Sequence, residues 1–272
     1  MARSSQRRAL LIAGPTASGK SALALRLARE RQGIIINADA LQVYAELRIL
    51  SARPSLAEEA EVPHRMFGHV SGRENYSAAR WLTDAKRALE SAWDEGQLPI
   101  VTGGTGLYFK VLEQGLAVIP PINPDIRKKW RSFSGDPHGE LIGRDPDATI
   151  KPNDRQRILR ALEVIEGTGR PLAHWQAVAS QGAALADAAV ERIFVDVSRD
   201  DLYVRGEARF DRMIAEGALE EVRVLLDYDP ALPVMKAIGV PELSAYLRGK
   251  TNLDEAIANA KTATRHYIKR QL

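Results

Sequence analysis

Hydrophobic and polar positions follow two rhythms along this chain. Ala9-Leu10-Leu11-Ile12-Ala13 is an unbroken apolar run, the pattern of a strand covered on both faces. A glycine-bounded loop follows. Ala24, Leu25, Leu27 and Ala28 then recur at helical spacing and predict a helix over about residues 21–31. Ile34-Ile35-Ile36 predicts a second buried strand. Leu82, Ala85, Leu89 and Ala92, spaced by three and four, predict a helix over residues 76–94. Pro99-Ile100-Val101-Thr102 predicts a third strand that turns at Gly103-Gly104, and residues 193–197 predict a later one. Buried strands alternating with helices indicate an α/β fold with a parallel sheet and right-handed crossovers.

The rhythm breaks between residues 119 and 189, where no buried-strand pattern occurs. The proline-rich stretch 119–124 reads as a boundary. Further on, Pro152-Asn153-Asp154 offers an Asn or Asp cap to a helix whose apolar positions Ile158, Leu162 and Ile165 form one stripe. The expected organisation is a core of residues 1–118 and 190–272 carrying a helical insertion of residues 119–189. From Asp201 onward the chain reads as mostly helical.

Of 272 residues, 45% are hydrophobic, which excludes wholesale disorder and allows a sizeable core. With no cysteine, disulfides, thiolate metal sites and thiol nucleophiles are excluded. The basic start from Arg3 to Arg8 leads into only five apolar residues, too few for a signal-peptide core. No apolar run is long enough to span a bilayer. A soluble cytoplasmic protein is expected, with no membrane partner, and a monomer because no heptad run occurs. The 38 basic and 35 acidic residues leave a net charge of only +3, so any nucleic-acid role rests on local clusters. Three stand out: Arg127, Lys128, Lys129 and Arg131; Arg155, Arg157 and Arg160; and Lys261, Arg265 and Lys269, which recur every four residues.

The chemistry begins at Gly14-Pro15-Thr16-Ala17-Ser18-Gly19-Lys20-Ser21, which fits G-x-x-x-x-G-K-[ST] between a predicted strand and a predicted helix. Such a loop turns successive N–H groups onto phosphate oxygens. Lys20 adds a full charge and the Ser21 hydroxyl is a candidate Mg²⁺ ligand. The pattern indicates binding of a diphosphate, or of a nucleotide such as ATP, without saying what is done to it. Asp39 ends the second strand at the edge where open α/β sheets bind ligands. There its carboxylate has three readings: metal ligand, proton acceptor or cap of the following turn. Thr102-Gly103-Gly104-Thr105-Gly106 ends the third strand at the same edge, with Thr105 offering a hydroxyl.

These segments, with others in fixed order, resemble the tRNA dimethylallyltransferase (tRNA isopentenyltransferase) family nearly end to end. The resemblance is carried by GPTASGKS at 14–21, NADALQVY at 37–44, ARPS at 52–55, VPH at 62–64, YSAARW at 76–81 and GGTGLYFK at 103–110. It continues through PNDRQRILRALEV at 152–164, RFDRMIAEGALEEV at 209–222, KAIGVPEL at 236–243 and ATRHYIKRQL at 263–272. It implies a P-loop NTPase-like core in which the loop holds dimethylallyl diphosphate, with Mg²⁺ on Ser21. The prenyl group would then move to N6 of adenine 37 in the anticodon stem-loop of tRNAs reading codons that begin with U. By the same resemblance Asp39 is the base, Thr105 positions the amine or the leaving oxygen, and Arg209 reaches the diphosphate. On sequence alone Arg209 is an ordinary solvated helix residue. Implied tRNA contacts are Asp39, Ala40, Leu41, Gln42, Thr105, Arg127, the run Gln156, Arg157, Ile158, Leu159 and Arg160, and the run Met235, Lys236, Ala237, Ile238, Gly239 and Val240.

This chain departs from the family pattern at Ala40, where a serine is usual. Between Arg127 and Pro152 it is also a turn or two shorter than the pattern. It stops at Leu272 where relatives continue into a Thr-Trp-Phe-Arg-like segment, so residues are expected to be missing from it. Two other readings of the bare residues stay open: a small-molecule kinase, with Asp39 activating a hydroxyl, and a nucleotide-gated RNA-binding protein without chemistry.

Overall fold

A computed structural model describes residues 6–177 and 182–272. Residues Arg3 to Ser5 of the basic start, and residues 178–181 of the expected insertion, lie outside the described residues. By internal packing the chain forms two compact units, one of residues 1–113 and 184–272 and the other of residues 114–183.

The first unit is built on a parallel sheet. Strands β1 (Arg8–Ala13), β2 (Gly33–Asn37), β3 (His64–Arg65), β4 (Leu98–Gly103) and β5 (Ala189–Phe194) lie in the order β3-β2-β4-β1-β5. Ile100 pairs with Leu10 on one side and Ile35 on the other, so one row of aliphatic side chains crosses the sheet centre. Helix α1 (Lys20–Arg31) covers this row through Ala24, Leu25, Leu27 and Ala28, all buried. The predicted first three strands and the helix over 21–31 are present with ends moved by a residue or two.

The later strand is corrected. It was expected at 193–197, and it runs over Ala189–Phe194. It sits at the sheet edge, where only Val190 and Ile193 are half-buried and the other four side chains are exposed. An edge strand needs no continuous apolar run, so the apolar signal picked out its last residues only. One more backbone bond, from Val195 N–H to the Ala13 carbonyl, follows at 2.8 Å before the chain leaves the sheet.

Helix α2 (Leu56–Glu61) precedes β3, and α3 (Ala78–Asp94) buries Leu82, Ala85, Leu89 and Ala92 as the period predicted, and Trp81 beside them. Helix α4 (Gly106–Gln114) follows β4. The second unit holds α5 (Pro124–Arg131), α6 (Pro137–Arg144), α7 (Arg155–Thr168) and α8 (Leu172–Ala177). Trp130, Leu141, Ile158, Ala161 and Leu162 form its core. Asp154 caps α7, its Oδ1 accepting from Arg157 N–H at 3.1 Å.

Beyond β5, the first unit continues with α9 (Arg199–Ala215), α10 (Ala218–Leu225), a 3-10 turn over Pro233–Lys236, α11 (Val240–Leu247) and α12 (Leu253–Gln271). Helices α9 and α12 approach closely at Gly206, where a methyl group would lie 3.2 Å from Thr264 Cγ2. Lys261 pairs with Asp211 at 2.7 Å, and Arg265 pairs with Glu207. Two of the three positions in the C-terminal basic stripe are therefore ion-paired with carboxylates of α9 rather than left as free charges.

Candidate active site at the carboxyl edge of the sheet

The loop between β1 and α1 curls because Ala17 and Gly19 adopt positive φ, 64° and 91°. For Ala17 this is an uncommon and strained conformation, held because the surrounding chain requires it. Successive N–H groups turned this way make an anion-binding concavity, reinforced by the start of α1 at Lys20. Gly14 cannot be larger, since a methyl group there would come 2.9 Å from Ser18 Oγ and 3.0 Å from the Val195 carbonyl.

Two half-buried cations lie against this loop. Lys20 Nζ donates to the Pro15 carbonyl at 3.2 Å. Burial pushes its ammonium below the ordinary 10.5, Asp39 opposes that shift, and Arg209 adds to it. Arg209, projecting from α9, donates from Nη2 to Thr16 Oγ1 at 2.7 Å. Its guanidinium is likewise lowered by burial, against the pull of Asp39. Far from being a solvated helix residue, Arg209 belongs to the loop. Two half-buried cations share one nearby carboxylate, an arrangement suited to an incoming anion.

Asp39 is half-buried just beyond β2. Its Oδ1 accepts from Leu41 N–H at 2.9 Å, which is the turn-capping arrangement. Its Oδ2 lies on the side of Gly104, 3.6 Å from where a methyl group on that glycine would sit. Capping therefore occupies one oxygen and leaves the second facing the centre. Asn37 braces the segment, accepting from Asp39 N–H at 2.8 Å and donating to the carbonyls of Asp39 and Met66. Thr105 Oγ1 accepts from Ala40 N–H at 3.0 Å, and Thr105 N–H donates to the Ala38 carbonyl at 3.2 Å. The Ala40 backbone is thus held although its side chain has no hydroxyl. Gly103 permits this crossing, since a methyl group there would lie 2.1 Å from the Ala38 carbonyl oxygen.

The P-loop residues, Asp39, Thr105 and Arg209 are brought together at one sheet edge. Gln42 lies nearby, but its amide donates to the carbonyls of Ser51 and Ala52 and ties down the following loop. Within 235–240, Met235, Ala237, Gly239 and Val240 are buried, while Lys236 is exposed. Arg127, Gln156, Arg157 and Arg160 belong to the second unit. There Gln156, Arg157 and Arg127 are exposed and Arg160 bonds Glu163 at 3.1 Å. Ile158 is fully buried and offers no side chain to a surface contact, while Leu159 is half-buried and packs against the same core.

Several site residues escaped the sequence reading. Gln271, in the last turn of α12, accepts through Oε1 from Thr16 N–H at 2.9 Å. Tyr267, one turn earlier, has its phenol pushed up to about 12 by burial and then by the Asp39 carboxylate. Both belong to the segment 263–272, where only the basic positions drew attention. Trp81 donates from Nε1 to the Asn37 carbonyl at 3.0 Å and stacks on Tyr108 with centroids 4.2 Å apart. The apolar period of α3, set by Leu82, Ala85, Leu89 and Ala92, left Trp81 out and carried no hint of this bond.

A cavity of about 90 Å³ adjoins the loop, and its lining mixes Lys20, Ser21, Arg53, Glu58 and His64 with the apolar Leu25, Ile35 and Phe67. Thr102 Oγ1 and Ser18 Oγ are buried without a hydrogen-bond partner. Ser21 itself is exposed at the start of α1. Among the described residues no group of three His, Asp or Glu side chains could hold a metal. The donor set fits a Mg²⁺ that arrives with a diphosphate and takes Ser21 as a protein ligand, since Mg²⁺ keeps waters and substrate oxygens in its shell.

Comparison with known proteins gives one answer. A family model described as IPP transferase matches residues 42–272, and one described as isopentenyl transferase matches residues 7–74. A protein of Methylocella silvestris named tRNA dimethylallyltransferase is 53% identical, over 97% of this chain and 89% of its own length. One of the same name from Azorhizobium caulinodans is 51% identical, over 97% and 87%. Among solved structures, the tRNA isopentenylpyrophosphate transferase of Bacillus halodurans aligns with a TM-score of 0.69 at 32% identity, covering 98% of this chain and 86% of its own. A eukaryotic dimethylallyltransferase acting on tRNA aligns with a TM-score of 0.83 at 28% identity, over 97% and 69%.

Proposed function

This chain belongs to the IPP transferase family, and we propose that it transfers a dimethylallyl group from dimethylallyl diphosphate to N6 of adenine 37 in tRNAs reading codons that begin with U. The observation that carries the reading is the pair of half-buried cations, Lys20 and Arg209, hydrogen-bonded to a phosphate-binding loop whose sheet edge also holds the Asp39 carboxylate. A leaving diphosphate needs those cations, and an attacking amine needs that carboxylate.

The C–O bond of the allylic substrate breaks with its electron pair going to diphosphate oxygen, while N6 forms the new bond to carbon. Negative charge builds on the leaving group, and the loop N–H groups, Lys20 and Arg209 are already oriented to receive it. The N6 proton passes to Asp39 Oδ2, the oxygen not engaged by Leu41. Thr105, anchored by Ala40 N–H, retains a hydroxyl proton to donate to the leaving oxygen or align the amine. Mg²⁺ held with Ser21 would supply further neutralisation of diphosphate charge. The apolar side chains of Leu25, Ile35 and Phe67 suit a hydrocarbon tail beside a charged head.

Adenine must leave its stack to reach Asp39, and clustered cations on the tRNA backbone would help to hold it there. Arg127, Gln156 and Arg157 of the helical unit and Lys236 of the core are exposed, and are the residues we assign to this contact. We place the reaction in the cytoplasm; among the described residues no helix is long and apolar enough to cross a membrane.

The test is incubation with tRNA, labelled dimethylallyl diphosphate and Mg²⁺. Label on tRNA adenine supports the proposal. ATP consumption with a small acceptor points to a kinase, and tRNA retention without transfer to a binding protein.

A further inference from the structure

We propose that Gln271 is a substrate-contacting residue, anchored on the P-loop and donating from Nε2 to the leaving oxygen of the allylic diphosphate. The inference rests on the transfer reading above. It starts from Thr16, which is gripped from two helices. Arg209 of α9 donates to its hydroxyl at 2.7 Å, and Gln271 of α12 accepts from its N–H at 2.9 Å. The carboxamide is thereby oriented, because fixing Oε1 on one side of the group directs Nε2 to the other. That nitrogen lies against Gly104. A methyl group on Gly104 would be 3.2 Å from Gln271 Nε2, 3.6 Å from Asp39 Oδ2 and 3.8 Å from the Gly14 carbonyl oxygen. One open point thus has around it an amide donor, the Asp39 oxygen not used in capping, and the first residue of the phosphate loop.

Glycine at position 104 keeps that point empty, and a reacting centre must be near both Asp39 and the loop. Tyr267 lies one helical turn before Gln271 on the same face of α12, so this helix presents two side chains to the centre. A neutral carboxamide suits the place better than a charged group. It accepts from a backbone N–H and donates to an anion at once, and it adds no further cation beside Lys20 and Arg209.

Two variants of the full chain separate this role from simple helix anchoring. Gln271→Glu keeps an acceptor for Thr16 N–H but loses the donor and sets a negative charge beside the diphosphate. Gln271→Met keeps length and loses both bonds. Inorganic diphosphate, titrated calorimetrically, should bind both variants about ten- to a hundredfold more weakly than wild type. In single-turnover transfer at saturating tRNA, Gln271→Glu should slow by a similar factor, with unchanged tRNA affinity and an unchanged melting temperature. Wild-type diphosphate affinity in both variants would overturn the proposal, whatever the acceptor proves to be. So would a Gln271→Glu rate equal to wild type, or a loss of binding matched by a loss of melting temperature. Failure of the wild-type enzyme to label tRNA would instead refute the transfer reading, leaving the diphosphate titration to decide the role of Gln271.

Discussion

Replacing Lys20 with methionine should make the ligand-free protein more stable and the enzyme far slower. Lys20 is half-buried, and its ammonium is held below its ordinary range by desolvation, with Arg209 adding repulsion and Asp39 only partly compensating. Among the described residues it donates to the Pro15 carbonyl at 3.2 Å. Methionine keeps the length and apolar stem and discards the charge, so the folded state no longer carries a poorly compensated cation. A gain of about 1 kcal/mol is the usual size for relieving strain stored at a functional site. In a chain of this size that raises the melting temperature by about 2 °C. In the proposed reaction the same charge would face the departing diphosphate, and its loss should cost about 3 kcal/mol of transition-state stabilisation, a rate reduction of about two orders of magnitude. Thermal melts with and without inorganic diphosphate, beside single-turnover transfer, read both effects. Wild type should be stabilised by diphosphate and Lys20→Met should not. A variant several degrees less stable that still responds fully to diphosphate would refute the reasoning.

Other consequences can be measured separately. tRNA affinity should fall about a thousandfold between 50 and 200 mM salt if six phosphates are contacted, and a flat response would remove the basic clusters from the interface. Glu221 of α10 accepts from the N–H groups of Arg48, Ile49 and Leu50 at 2.6, 2.5 and 3.0 Å. Glu221→Ala should therefore lower stability by about 3 kcal/mol in urea unfolding, and an unchanged midpoint would contradict that anchoring. Tyr76, Tyr108 and Tyr267 all have phenols raised above the ordinary value of 10, first by burial. The unfolded chain ionises them sooner, so their contribution to stability is present below about pH 10 and is lost as pH rises towards the folded values. Tyr108→Phe should flatten the alkaline fall in stability, and an equally steep fall would contradict the assignment.

The parallel core was legible because its central strands are covered on both faces. Leu10, Ile35 and Ile100 stand in runs that only a doubly buried strand favours. The edge strand was displaced because Ala189–Phe194 carries its pairing in the backbone and leaves four side chains in solvent. The phosphate loop was legible as a local motif, whereas Arg209 and Gln271 meet Thr16 across 193 and 255 residues of chain. No spacing rule reaches that far, and the family resemblance alone drew Arg209 in. Charge clusters were the least legible feature. Lys261 and Arg265 read as a cationic stripe until α9 supplied Asp211 and Glu207 opposite them. Ile158 read as part of a contact run, yet its own apolar period placed it in the helical core.

The proposed passage of the amine proton to Asp39 is tested most directly by single-turnover transfer with Asp39→Asn across a Mg²⁺ titration at saturating tRNA. The amide keeps the acceptor for Leu41 N–H and hydrogen bonding towards the adenine, so tRNA should bind nearly as before. It cannot hold the proton, so the rate should fall by about 10² to 10⁴ and stay low at every Mg²⁺ concentration. Recovery with excess Mg²⁺ would make Asp39 a metal ligand instead, and an unaltered rate would remove it from the mechanism.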